Sequence, residues 1–224
     1  MRSVAAEAAF KTGRFLEGLS STELSAILSA GTERSFSAGS VICSPGAPAE
    51  QFFLLKSGRA RHFVITPEGR KVLLRWLSPG SIFGAATVLS RNSTFIVGTE
   101  VVKNSRLHIW QRAAIRKLVW EYRKLMENLL WLASDYLIWY SAAHIALVSQ
   151  DARQRFADVL ITLSSSFGHV TEKGMELEIT NEELANTANV TLFTASRLLS
   201  EWHRKSAIKK TRRKILLRAP ERLV

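Results

Sequence analysis

The sequence predicts an α+β protein in which a strand-rich N-terminal domain runs through a long helix into a winged helix-turn-helix. Three observations carry that prediction. Between Gly31 and Gln111, short runs of β-branched and aromatic residues alternate with Gly and Pro punctuation. From Arg112 to Val148 there is neither Gly nor Pro. From Thr180 to Trp202, TNEELANTANVTLFTASRLLSEW reads as two short helices around a tight turn. The chain therefore divides into residues 1–111, 112–149 and 150–224.

Phe15 to Ala30 reads as a helical lead-in, with Ser20 or Ser21 as cap and Leu24, Ile27 and Leu28 on one face. The strand-like runs that follow are Ser40–Cys43, Gln51–Lys56, Ala60–Thr66, Lys71–Leu77, Thr94–Val102 and Arg106–Trp110. Pro45-Gly46, Ser57-Gly58, Pro67-Glu68-Gly69 and Ser78-Pro79-Gly80 separate them. Short strands at close spacing with turn signals between them predict an antiparallel sandwich or barrel.

In the long helix, Leu118, Leu125, Leu129, Leu132, Tyr136, Trp139, Ala143 and Leu147 step by three, four or seven, which is coiled-coil-like spacing. A rival reading is a membrane span over Leu129 to Val148, LLWLASDYLIWYSAAHIALV, which is long enough. Asp135, His144, Ser134 and Ser141 interrupt it, and a helix apolar on several sides is equally served by a partner helix and a β-domain.

In the last third, Arg153–Ser166 is an amphipathic helix with Phe156, Val159, Leu160 and Leu163 inward, and Gly168–Ile179 holds short strand-like pieces. Thr180 and Glu183 form a capping box, and Leu184, Ala185 and Ala188 make a small apolar face. Asn189 stands at the sharp turn, where Asn tolerates a left-handed backbone. Thr191 is a second N-cap. Ala195, Leu198, Leu199 and Trp202 pack inward, which leaves Leu192, Phe193, Ser196, Arg197 and Ser200 outside. Ala207–Lys209 and Lys214–Arg218 flank the basic turn Lys210–Arg213 and make a wing.

A net charge of +12 favours a polyanionic partner, nucleic acid before an anionic membrane. From Arg197 on, ten Lys and Arg residues are opposed by Glu201 and Glu221 alone. A single cysteine, Cys43, excludes an internal disulfide framework and a cysteine-ligated iron–sulfur cluster, and suits a reducing, cytoplasmic setting. The N-terminal MRSVAAEAAFKTGRF is broken by Glu7 and Lys11 and does not read as a signal peptide. The five histidines are scattered with no i, i+4 pair, so no metal site is expected. No nucleophile–base arrangement, carboxylate pair or phosphate-binding Gly loop of an enzyme is present, so catalysis is not expected.

In this order of parts the chain resembles the CRP/FNR family of bacterial regulators, which includes the cyclic-AMP receptor protein. Gly39, Gly46, Gly58, Gly80 and Gly84 resemble that family's roll glycines, and Leu77–Gly84, LSPGSIFG, its entry to the phosphate-binding cassette. The resemblance implies a cyclic-nucleotide-binding-type β-roll, a long dimerisation helix and a C-terminal winged helix-turn-helix. It further implies a homodimer on palindromic double-stranded DNA, with RNA polymerase as a further partner and no membrane. On this reading Leu125, Leu129, Leu132, Tyr136, Trp139 and Ala143 form the dimer helix. The effector pocket is Phe83, Gly84, Ala85, Arg91, Phe95 and Ile96.

Two departures from the family's pattern alter what the resemblance implies. Its cyclic-AMP binders carry a glutamate after the cassette glycine and an arginine with a serine further on; here Ala85, Phe95 and Ile96 stand there. Phe95 offers a phosphate neither a cation nor a donor nest. This disfavours cyclic AMP, leaves Arg91 as the nearby cation, and leaves an apolar cavity lined by Phe83, Phe95 and residues of the long helix. Haem on a single ligand such as His144 ranks behind a hydrogen-bonded interface histidine. In the reading helix, Ser196 and Arg197 match the family's Glu-x-x-Ser-Arg, but Phe193 replaces the acid. Phe193, Ser196 and Arg197 are then the base readers, and Thr191, Thr194, Ser200, Lys209, Lys210, Arg212 and Arg213 the phosphate contacts. The expected function is a DNA-binding transcription regulator whose effector is not cyclic AMP, or which has none. A cyclic-nucleotide-responsive regulator and a membrane-associated sensor using residues 129–148 stand as alternatives.

Overall fold

The computed structural model describes residues 14–69, 71–89 and 94–223. It forms two compact units, and the division falls between Asp135 and Tyr136, inside a helix.

The first unit opens with a 3-10 turn, Arg14–Leu16, and helix α1, Ser21–Ser29. Ser20 caps α1, and Glu23 returns a bond to the cap backbone, so the expected start is met by a full capping box. Six strands follow: β1 Thr32–Phe36, β2 Val41–Cys43, β3 Gln51–Ile65, β4 Lys71–Leu77, β5 Ile82–Phe83 and β6 Gly98–Gln111. They form one antiparallel sheet, ordered β1-β6-β3-β4, with β2 also on β6 and β5 also on β3.

Two differences from the sequence reading have local causes. Ser57-Gly58 reads as a turn but is a bulge inside the continuous β3, where the register against β6 shifts. Gly58 has φ +93°, and a Cβ there would lie 2.1 Å from Ser105 Oγ, so glycine serves close approach of two strands rather than a chain reversal. Strand β1, TERSF, goes unread because it is an exposed edge strand with no alternating apolar pattern.

β3 also sorts the core, because successive side chains point to opposite faces. Phe52 and Leu54 pack with Phe15, Ile27, Trp110, Leu118, Leu125 and Leu129, beneath the helices. Phe53 and Leu55 pack with Cys43, Leu77, Phe83, Phe95 and Leu107, inside the roll. The helical layer is pinned by Trp110 Nε1 donating to Ile27 O at 2.7 Å, and by Asn128 Nδ2 donating to Phe15 O and Glu17 O at 3.0 and 2.8 Å. Asp135 pairs with Arg14 at 2.9 Å.

After the short helix α2, Ala86–Leu89, and β6, the long helical stretch comes as α3, Arg112–Glu121, and α4, Arg123–Ser149. Tyr122 has extended dihedrals and makes the break between them. No helix among the described residues is long and apolar enough to cross a membrane.

The second unit carries α5, Ala152–Phe167, entered through an Asp151/Gln154 capping box. It continues with β7 His169–Thr171, β8 Gly174–Glu178, α6 Asn181–Thr187, α7 Leu192–Arg204, β9 Ile208–Thr211 and β10 Lys214–Leu217. The strands form an antiparallel sheet ordered β7-β8-β10-β9. Phe156, Leu160 and Leu163 of α5 face inward as read, while Val159 is half-buried. Phe156 stacks on Trp202 at 5.5 Å.

Candidate nucleic-acid interface and roll interior

Local chemistry alone builds the two-helix motif. Thr180 caps α6 with Glu183 as its capping-box partner, and Leu184, Ala185 and Ala188 are buried. Asn189 turns the chain at φ +50°. Thr191 Oγ1 then accepts from Thr194 N at 3.1 Å and starts α7. Ala195, Leu198, Leu199 and Trp202 are all buried, which leaves the opposite face of α7 to solvent.

On that face Arg197 and Ser200 are exposed, and Phe193 is 78% exposed. Ser196 is half-buried, and Asn181 Nδ2 donates to its hydroxyl at 3.5 Å, so the first helix sets its position. The Thr191 and Thr194 hydroxyls lie 2.9 Å apart, and Ser200 Oγ donates to Ser196 O. The wing is the β9–β10 hairpin, with Arg212 and Arg213 at its tip and Arg213 at φ +61°. Lys209, Arg212 and Arg213 are exposed, and Lys210 is half-buried.

Among the described residues, no ion pair or hydrogen bond engages the side chains of Arg197, Arg204, Lys209, Lys210, Arg212 or Arg213. The neighbouring Lys205 and Lys214 are instead paired, with Glu201 and Glu176. Among the described residues these six cations of the reading helix and wing thus stand without an ion pair, as do Arg155, Lys173, Arg218 and Arg222 elsewhere in the unit.

Sequence reasoning missed the clamp on α7. Glu201 takes Arg153 Nη2 of α5 at 2.5 Å on one oxygen and Lys205 Nζ at 2.9 Å on the other. Those hydrogen bonds hold its carboxyl at about 2. The i, i+4 pair with Lys205 is visible in the sequence; Arg153, far back in the chain, is not. At the far end, His203 Nδ1 accepts from Lys210 N at 3.5 Å and ties the helix to the wing.

The roll interior differs from the expected apolar cavity. Phe83 and Phe95 are both buried in it, but Phe83 stacks on Phe53 at 4.7 Å and fills the space. Ile96 is not in a pocket: it is 83% exposed, at a bend between Phe95 and the start of β6. Gly84 sits at φ +84°, and a Cβ there would meet Gln51 O at 2.7 Å; Ala85 is half-buried, and Arg91 lies outside the described residues. A cavity of about 380 Å³ does open beside Phe95, lined also by Val41, Cys43, Pro48, Gln51 and Phe53. Neither Phe83 nor the long helix lines it. The helix leucines Leu125, Leu129 and Leu132 face the other cluster, on the opposite side of β3.

Two polar residues of the interior were not anticipated. His62 is buried, with Nδ1 2.9 Å from Thr99 Oγ1. Burial first, and then the charge of Arg75, push its imidazole down to about 4. Arg75 is itself buried. Burial also raises the Cys43 thiol. Glu100 is pushed up by burial, but hydrogen bonds from Lys71 and Arg61 outweigh this and hold it below the usual carboxylate range. No three His, Cys, Asp or Glu side chains among the described residues gather as a metal would need.

The dimer-helix residues divide between two settings. Leu125, Leu129 and Leu132 are buried in the core of the first unit, whereas Tyr136, Trp139 and Ala143 are half-buried. This corrects the assignment of the three leucines, which their own chain already covers. The large apolar side chains that α4 leaves open are Leu130, Trp131, Leu137, Ile138, Tyr140, Ile145, Leu147 and Val148.

A β-roll followed by a long helix and a winged helix-turn-helix defines a DNA-binding transcription regulator. Residues 33–122 match the family model of the cyclic nucleotide-binding domain, and residues 154–224 that of the Crp-like helix-turn-helix domain. The chain is 25% identical over 195 residues to the CRP-like cAMP-activated global transcriptional regulator of Mycobacterium tuberculosis, covering 84% of each. It is 23% identical over 187 residues to the anaerobic regulatory protein of Bacillus subtilis, covering 79% of this chain and 75% of that one. In fold it is similar to the c-di-GMP responsive global regulator CLP of Xanthomonas campestris, with a TM-score of 0.76 at 17% identity, covering 88% and 99%. The chain belongs to the CRP/FNR family of transcription regulators.

Proposed function

We propose that this regulator acts in the cytoplasm as a homodimer on a palindromic DNA site, and that its effector is not cyclic AMP or that it needs none. The observation that carries the reading is the set of uncompensated cations on α7 and the wing. Arg197, Ser196 and Phe193 meet base edges, with Arg197 donating to guanine. Thr191, Thr194, Ser200, Lys209, Lys210, Arg212 and Arg213 meet phosphates and set the register. The second copy covers the open face of α4 around Trp131, Ile138 and Ile145. RNA polymerase is the partner that a promoter-bound regulator would meet next.

Phe95 supports the effector part of the proposal. It is buried in the apolar cluster of the roll, where a nucleotide phosphate would need a cation or a nest of donors. One observation favours a second reading: Arg75 puts a guanidinium inside the same roll, so an anionic effector has one buried cation to meet.

Calorimetry of the full-length protein with cyclic AMP, run beside DNA binding, tests both. No heat, with DNA bound in the absence of ligand, is the expected result. Heat that Arg75→Leu abolishes selects the anionic-effector reading instead. On DNA, Arg197→Ala should cost about 1–3 kcal/mol per half-site and relax one base pair. Equal weakening on every sequence would make Arg197 a phosphate contact.

A further inference from the structure

At the start of the reading helix two large apolar side chains stand open: Leu192 is 53% exposed and Phe193 78%. A single exposed leucine is ordinary. Two adjacent ones are not, on a helix that buries its other apolar residues, Ala195, Leu198, Leu199 and Trp202, almost completely. Their neighbours define what they meet. Phe193 precedes Arg197 by four residues and Leu192 precedes Ser196 by four, so each stands beside a polar group on the outer side of α7. Thr191, at the N-cap, directly precedes them, and Arg197 follows on the same helix without an ion pair among the described residues, groups suited to phosphate and base edges rather than to an apolar protein surface.

In the major groove, guanine, cytosine and adenine present only hydrogen-bonding edges to these positions. Thymine adds a C5-methyl group, the one apolar surface available there. We propose that Leu192 and Phe193 form an apolar edge that selects thymine methyl groups in each half-site. Four residues of helix advance about 6 Å, so the thymine facing Phe193 lies within about two base-pair steps of the guanine facing Arg197. The inference rests on the DNA-binding reading and deepens it: base recognition is divided between a guanidinium and a methyl-seeking apolar pair. An acid in place of Phe193 would accept from cytosine; the aromatic edge discriminates against that base pair instead.

The test removes the methyl and nothing else. The full-length protein selects duplexes from a library with a random centre at low salt. Each thymine of the enriched duplex is then replaced in turn by deoxyuridine, for wild type, Leu192→Ala and Phe193→Ala. Wild type should lose about three- to fourfold in affinity at one or two thymines per half-site, the size expected for one methyl-sized apolar contact. Each variant should lose that sensitivity at its own position and keep it elsewhere. Both substitutions are at exposed sites, so unchanged melting shows that the fold is intact. Insensitivity of wild type to deoxyuridine at every thymine overturns the proposal, as does full methyl sensitivity in both variants. If, in addition, both variants bind the duplex as wild type does, the pair faces a protein. Enrichment of no duplex at all sinks the DNA-binding reading and the proposal together, an outcome distinct from sequence-specific binding without methyl dependence.

Discussion

His62 shows what a single buried side chain does to this protein. Its ring is enclosed in the roll and bonded to Thr99, and its imidazole is pushed down from an ordinary 6.5 to about 4. Between those two values the unfolded chain binds a proton that the folded chain refuses. Stability therefore rises with pH across that window and is lost on acidification from about 6.5 to about 4. The full effect is on the order of 3 kcal/mol. His62→Gln, which can still bond Thr99, should melt with a shallower dependence on pH between 7 and 4.5 than wild type. A parallel pair of curves would show that His62 is not the titrating group. Glu201 works in a different, more acidic window. Its carboxyl lies at about 2 when folded and near 4.5 when unfolded, so its contribution is present above 4.5 and lost as pH falls toward 2. The two groups can thus be told apart in one titration.

Among the elements, α4 is the one whose faces carry the most consequence. The stepping of Leu125, Leu129 and Leu132 was legible as an amphipathic stripe, and the helix is there. What the stripe covers was not legible. These leucines pack beneath Phe52 and Trp110, and the face left open is set by Trp131, Ile138 and Ile145, seven residues apart. Hydrophobic periodicity gives a helix and an apolar side; it does not distinguish burial against one's own sheet from burial against a partner. Substitution on the two faces should separate them. Ile138→Asp should leave far-ultraviolet dichroism unchanged and shift sedimentation equilibrium to the monomer. Leu129→Asp buries a charge in the core between the helices and β3 and should abolish folding. A dimeric Ile138→Asp protein would move the pairing surface elsewhere. The same distinction holds for β3, where Ser57-Gly58 is a bulge because Ser105 of β6 comes against it, a fact about a strand far along the chain.

For the whole molecule, charge is the property that reaches furthest. The chain carries a net +12, and Arg197, Arg204, Lys209, Lys210, Arg212 and Arg213 of the reading helix and wing have no ion pair among the described residues, so association with DNA should release counterions and weaken steeply with salt. Replacing Lys209 and Lys210 together by Ala should weaken all sequences alike and lower the slope of log affinity against log salt by about 1 for each phosphate left without its lysine. An unchanged slope would remove those lysines from the interface.

The sequence by itself determined everything that depends on neighbours a few residues apart. Caps at Ser20, Thr180 and Thr191, the left-handed turn at Asn189 and the buried stripe of α7 all arise from interactions within one or two turns of chain. The order of the parts followed, and with it the regulator class. Tertiary structure alone decided which groups from distant segments meet: His62 with Thr99, Glu201 with Arg153, Phe83 with Phe53, and Ile96 out in solvent. The reason is physical. A one-residue change of strand register exchanges the two faces of a sheet. Ion pairs between distant segments carry no period that a local pattern could show.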